Sequence, residues 1–274
     1  MASTANAGVD GLCPATRDAA AEVLWAKLDE VQKLLANKPD AKELFTKYTV
    51  FRSVVGEVKP VFTDSVRTRV KVFCEEPAFA VPEECDDFEP VSLHVVAYLN
   101  YTLFMEEMRE LMVQARLLKS IGMEGSGLRF QRREQNIVAP DNEPRTGSSS
   151  KPSGQVSMHK PSYRPATLIP VGTLRMRRVS KASEAGKLAE VVAKMERVCV
   201  VKSARCFDAG RALMRAAEKI ARDAFHVRWA LTYAQLSSKD FYTKAGYTPK
   251  DGRACMDLHT PHVVMIKCLV DASM

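Results

Sequence analysis

The sequence predicts an α/β (α+β) fold, a mixed sheet flanked by helices and interrupted by one long disordered insertion. Three observations carry this. Strand-like and helix-like segments alternate through the last third: MERVCVVK, AGRALMRAAEKIARDAF, VRWALTYAQ, SSKDFYTKA and HVVMIKCLV. Of the 274 residues, 46% are hydrophobic and 27% charged, which allows a sizeable packed core. Between about Glu124 and Arg164, Gly, Ser, Pro and basic residues dominate, with little to bury.

Each element follows in order. Residues 1–15 are small and polar and read as a disordered N-terminus. Residues 16–36 form an amphipathic helix. Val23, Leu24, Leu28, Val31, Leu34 and Leu35 fall at helical spacing, with Asp18, Glu22, Lys27 and Glu30 opposite. A stop at Asn37-Lys38-Pro39-Asp40 and a short helix, AKELFTKY, complete a helical extension over 16–47 that precedes a domain over 48–274. TVFRSVV is a strand by its β-branched and aromatic content. TDSVRTRVKVFCEE is a helix with Val66, Val70 and Phe73 on one face, PEECDDFEP a loop, and VSLHVVAYL a strand too apolar for an exposed edge. The helical YTLFMEEMRELMVQARLLKSIGM opens the insertion, taken as 101–166. TLIPVGTLRMRRV is a strand pair or one bent strand, and KASEAGKLAEVVAK is part helix, part loop. Ser237 or Ser238 caps the SSKDFYTKA helix, Gly246 ends it, and a variable loop leads to the last strand.

The net charge of +7 favours acidic partners such as nucleotides and phosphates. Cys13, Cys74, Cys85, Cys199, Cys206, Cys255 and Cys268 form no paired spacing, which suits free thiols in a reducing compartment and offers no metal site. No apolar run is long enough for a membrane span, and the N-terminus lacks the pattern of a secretory or transit segment. A cytoplasmic or nuclear location follows, without a membrane partner. Arg129, Arg132, Arg133, Arg145, Lys151, Lys160 and Arg164, with Phe130 and Tyr163 among them, are read as a solvated linker, and no nucleic-acid partner is expected.

Three motifs remain: R-C-F-D-A-G-R-A-L (205–213), A-Q-x5-F-Y-x-K-x-G-Y (234–247) and P-H-V-V-M-I-K (261–267). They resemble the GNAT superfamily of N-acetyltransferases. The last motif, with S-V-R-T-R-V-K-V-F-C-E-E (65–76), V-P-E-E (81–84), H-V-V-A-Y (94–98) and V-G-T-L-R-M-R (171–177), is similar to the ElaA-like branch. The resemblance covers roughly 48–100 and 167–270. It implies a twisted, mostly antiparallel sheet with helices on both faces, split between central strands where acetyl-CoA enters.

The resemblance also implies roles. Arg205, Asp208, Ala209, Gly210, Arg211 and Ala212 match the turn and helix start that hold a diphosphate, where free N–H groups and the helix dipole meet an anion. Cys206 and Asp208 replace family glycines, and Asp208 adds negative charge there. Val198, Cys199 and Val200 match the strand whose backbone meets the pantetheine arm, and Gln235 a turn amide that touches the cofactor. Tyr242 matches the phenol that protonates the leaving thiolate. Glu196 is the first candidate for the base that deprotonates the amine, beside an alternative as a solvated partner of Lys194 and Arg197. Glu76, His94 and His262 are candidates for the acceptor side, although His94 within VSLHVVAY also reads as a core residue. Taken without the resemblance, Tyr242 is a half-buried packing residue and Val198–Val200 a buried strand. The implied function is acetyl-CoA-dependent transfer to a primary amine of unidentified nature by direct attack. The alternative is a scaffold of the same fold whose cofactor loop has decayed.

Overall fold

The computed structural model describes residues 19–35, 39–76, 85–120, 167–181, 190–257 and 260–270. The disordered calls on 1–15 and on the basic tract lie outside these residues. The chain divides into two units, Met1–Met108 with Ala166–Met274, and Arg109–Pro165. The second is described only at its start, as the end of a helix.

The first unit is built on one seven-stranded sheet. Its strands are β1 (Thr49–Val55), β2 (Leu93–Asn100), β3 (Leu168–Lys181), β4 (Glu190–Val200), β5 (Trp229–Gln235), β6 (Thr248–Asp257) and β7 (Thr260–Cys268). The order across the sheet is β1-β2-β3-β4-β5-β7-β6. Every pairing is antiparallel except β4 with β5, so the sheet is mixed. Helices are α1 (Ala19–Leu35), α2 (Pro39–Lys47), α3 (Val61–Arg69, continued by a π-helical turn to Glu75), α4 (Tyr101–Ser120), α5 (Ala209–Phe225) and α6 (Lys239–Lys244). The α/β class and most elements agree with the sequence reading.

Three elements differ. The segment before Met195 enters the sheet early: Glu190–Lys194 is strand, because Ala193 and Val192 pair with Arg178 and Val179. The variable loop after Tyr247 is β6, a strand that Pro249 and Gly252 disguise and that pairing with β7 enforces. TLIPVGTLRMRRV is a single strand. Pro170 sits in its interior at a bulge, where Tyr98 pairs with Pro170 and Ala97 with Gly172, so a residue without an N–H is tolerated.

The helical extension is part of this unit. Trp25 of α1 donates its indole N–H to the Pro170 carbonyl at 2.7 Å, and Leu28 is fully buried. Phe45 of α2 stacks on Phe207 at 4.9 Å and meets Phe104 edge-on. α5 lays an alanine-rich face, Ala209, Ala212, Leu213, Ala217 and Ala221, against the sheet, and those small residues let helix and strands approach closely.

Candidate active site

The site begins at a bulge in β4. Thr173 pairs with Cys199 and Arg175 with Glu196, so β4 carries one residue more than β3 over this stretch. Arg197 takes the extra place with φ 53°, in the left-handed region. Such a bulge bends its strand. On the other side, β4 pairs with β5 at only three positions, ending at Met195 with Thr232. Both strands run on, β4 to Val200 and β5 to Gln235, so they part at the bulge and leave a cleft between Val198–Val200 and the end of β5.

Tyr242 closes the base of this cleft. It is 7% exposed, shares a hydrogen bond with Thr232 of β5 and lies beside Cys199 of β4. Phe241 and Tyr247 pack edge-on against it at 5.0 and 5.9 Å. Burial pushes the phenol up to about 12, with the Thr232 bond opposing in part. The group is therefore a neutral hydroxyl at physiological pH.

The turn after β4 leads to the start of α5. A 3-10 turn, Lys202–Phe207, ends at Asp208, which adopts φ 66° and ψ 15°. That is the conformation glycine favours, and aspartate tolerates it better than most residues. Its carboxylate does not cap α5. It accepts from Arg211 Nε at 2.5 Å, with Arg215 at 4.0 Å, so the added negative charge is matched locally and the first-turn N–H groups around Gly210 remain. A Cβ on Gly210 would stand 2.9 Å from the Phe241 ring, which ties α5 to α6 at the cleft. Arg205 donates to the Val200 carbonyl at 3.0 Å and to the carboxylate of Glu76. Glu76 also accepts from the Lys202 backbone N–H at 3.1 Å. Glu76 therefore joins the turn after β4, and not His94 as expected of an acceptor-side residue. Cys206 is exposed and accepts from Gln32 of α1 at 3.1 Å.

Glu196 is not placed as a base. Its carboxylate accepts from Arg177 at 3.0 and 3.2 Å and from Arg175 at 3.1 Å, with Lys194 at 2.6 Å. Burial works against its charge, but the hydrogen bonds from Arg177 and Lys194 and the charges of Lys194 and Arg175 prevail and hold it below the usual carboxylate range. An ionised, fully engaged carboxylate is a weak proton acceptor.

His94 is buried completely, as the core alternative has it. Its Nε2 lies 3.2 Å from the Glu89 carbonyl and 3.5 Å from the Glu89 carboxylate. Burial, helped by the charges of Arg69 and Arg175, lowers its pKa against the pull of Glu89. Arg69 and Glu89 are themselves buried and paired at 3.1 Å, and Arg175 donates to Glu89 at 2.8 Å. Sequence reasoning did not find this ion-pair group, because its members come from α3, β2, β3 and the turn before β2.

His262 sits opposite Gln235 across β5 and β7, at the open end of the cleft strands. Its Nδ1 donates to the Thr260 carbonyl at 2.8 Å, which leaves Nε2 for proton chemistry. Ala209 and Ala212 are buried in α5 and contribute backbone alone.

Residues 163–247 match the Acetyltransferase (GNAT) family. A Bacillus subtilis (strain 168) protein named "Putative acetyltransferase" is 32% identical over 99 residues, 36% of this chain and 59% of its own length. The N-acetyltransferase YjcF of the same organism, called uncharacterized, is 38% identical over 74 residues, 27% of this chain and 52% of its own. The chain thus spans between half and three fifths of the curated relatives it matches. Among solved structures, Escherichia coli ElaA aligns over 80% of this chain and 99% of its own at 12% identity and a TM-score of 0.43. Residues 163–247 are thus similar to the GNAT acetyltransferase family over about a third of the chain.

Proposed function

We propose that this chain is an acetyl-CoA-dependent N-acetyltransferase that acts on a primary amine by direct attack. One observation carries the reading: a neutral tyrosine hydroxyl lies at the base of the cleft where β4 and β5 part, beside Cys199. The chain fits the cofactor at both ends of its path. Val198 and Cys199 present backbone on the unpaired edge of β4, and the α5 N-terminus with Arg205 and Arg211 suits a diphosphate. Acetyl-CoA, when bound, supplies the acetyl thioester. Tyr242 holds a proton for the departing thiolate. Its own pKa is high, but the same burial raises that of a thiol, so transfer stays within reach. With Glu196 engaged, His262 Nε2 takes the proton from the amine, directly or through water.

A second reading, a scaffold without catalysis, is favoured by Glu76. Its carboxylate already sits on Arg205 and the Lys202 N–H, so an incoming anion must displace it. Calorimetric titration with acetyl-CoA separates the two. Micromolar binding is expected of the wild type. Tyr242→Phe should bind nearly as well and lose roughly 100-fold in kcat. No binding would sink the enzymatic reading, and full turnover by Tyr242→Phe would remove Tyr242 as its general acid.

A further inference from the structure

A charged pair that the mechanism above does not use stands at the end of the helix that carries Tyr242. Lys267 of β7 donates its Nζ to the Glu218 carboxylate of α5 at 2.7 Å and to the Ala245 carbonyl at 2.8 Å. Ala245 is the residue that closes α6. The same Nζ stands 5.6 Å from the centre of the Tyr247 ring. One side chain thus joins the last strand, the long helix and the short one. Lys267 and Glu218 are both largely buried, so salt screens the pair little.

α6 depends on such a joint. It has six residues, Lys239–Lys244, too few to hold a helical conformation unaided. Near its start, Phe241 packs against Gly210 of α5. At its end, the carbonyls have no further turn to bond. Lys267 takes one of them, and its positive charge suits the negative end of the helix dipole. Gly246 follows with φ 90°, and a Cβ there would lie 3.3 Å from Lys267 Cε. The chain is therefore wrapped closely around this lysine.

The contact reaches Tyr242 by two routes. Through the backbone, the N–H groups of Ala245 and Tyr247 each donate to the Tyr242 carbonyl at 3.0 Å. Through side chains, the buried Tyr247 ring packs edge-on against the Tyr242 ring. The Tyr247 hydroxyl lies beside Glu218. Burial, and then the Glu218 charge, raise its pKa well above the usual phenol range. Tyr247 is thus a neutral spacer between the charged pair and the phenol of the cleft.

We propose that Lys267, held by Glu218, is a positioning residue. It fixes the end of α6 and the Tyr247 ring, and so sets where the Tyr242 hydroxyl stands in the cleft. The inference rests on the acetyltransferase reading above. A proton donor must lie within hydrogen-bond reach of the group it protonates. A misplacement of about 1 Å can cost about 100-fold in rate. Lys267 and Glu218 then bear on kcat without touching the substrate.

The test combines Lys267→Met with Glu218→Gln, because Lys267→Met alone leaves a buried carboxylate without its partner. Hydrogen exchange at the Ala245 and Tyr247 amides should quicken roughly tenfold or more, while the amides of α5 hold. Turnover is measured with acetyl-CoA and three amines: a linear diamine, an amino acid and a lysine peptide. For the fastest of them kcat should fall roughly tenfold, with the acetyl-CoA Kd within about twofold of wild type. Lys267→Arg, which keeps the charge and the donors, should retain most of kcat. In a Tyr242→Phe background the paired changes should cost nothing further, because both act through one hydroxyl. An equal loss in that background would mean a general structural role and overturns the inference. So does unmoved exchange or unmoved kcat. A wild type that binds no acetyl-CoA, or acetylates none of the amines, overturns the acetyltransferase reading and a catalytic role for Lys267 with it. The exchange readout tells that failure apart from a Lys267 that does not hold α6.

Discussion

At Asp208, a residue that looks wrong for its place is accommodated. Its backbone adopts φ 66°, and its carboxylate is taken by Arg211 instead of facing the helix start. Asp208→Gly should therefore raise stability by about 1 kcal/mol, the cost of holding a non-glycine residue left-handed. It also releases Arg211 towards an anion, so acetyl-CoA should bind about tenfold more tightly. Thermal melting and calorimetry check the two halves. Weaker binding would mean that the Asp208–Arg211 pair orients the arginine. Glu196 teaches the reverse lesson: its residue type and position suggest a base, but Arg177, Lys194 and Arg175 leave it no free lone pair for that work.

Among the elements, β4 and α1 matter most. One extra residue in β4, at Arg197, ends the parallel pairing with β5 and opens the cleft, so a local backbone irregularity creates the site. α1 packs against β3 and the turn after β4, at the same end of the sheet. Trp25→Phe keeps the packing but leaves the Pro170 carbonyl buried without its donor. It should cost about 1–3 kcal/mol, measured by urea unfolding, and an unchanged midpoint would show α1 to be an appendage. The turn after β1 has a similar constraint. Gly56 has φ 70°, and a Cβ there would lie 2.9 Å from the Pro90 carbonyl oxygen. Gly56→Ala should destabilise by about 1–3 kcal/mol in the same assay.

Over the whole molecule, the ion-pair group shapes acid stability. Burial opposes charge on Asp86, but the hydrogen bonds from Arg175 and the Phe88 N–H bring its carboxyl down to about 2, and Glu196 is also depressed. Unfolded, such carboxyls titrate near 4. Depressed folded values contribute stability that is present above about pH 4 and lost as pH falls towards about 2. His94, neutral and buried, starts the decline earlier, from about pH 6.5, because only the unfolded chain readily takes up its proton. Urea unfolding at stepped pH should show both stages, and Asp86→Asn should flatten the lower one. A flat profile from pH 5 to 2 would contradict the network.

Local pattern was enough for much of this protein. The 3.6-residue spacing of α5, the β-branched run of β2 and the FY helix with its terminal glycine identify themselves, because each depends on neighbours within a few residues. The motifs of 205–213 and 234–247 likewise point to the turn before α5 and to Tyr242. What sequence could not supply were relations between distant segments. The early start of β4 and the strand β6 exist because pairing partners elsewhere enforce them. The parting of β4 from β5 depends on one residue opposite β3. The fates of His94, Glu76 and Glu196 depend on charges brought in from other elements, Glu89 and Arg69, Arg205, and Arg175 and Arg177. The chain by itself determined most of its elements and its resemblance to a family. Tertiary structure alone decided which charged groups are free to act, because a side chain's ionisation and reach are set by the atoms packed around it.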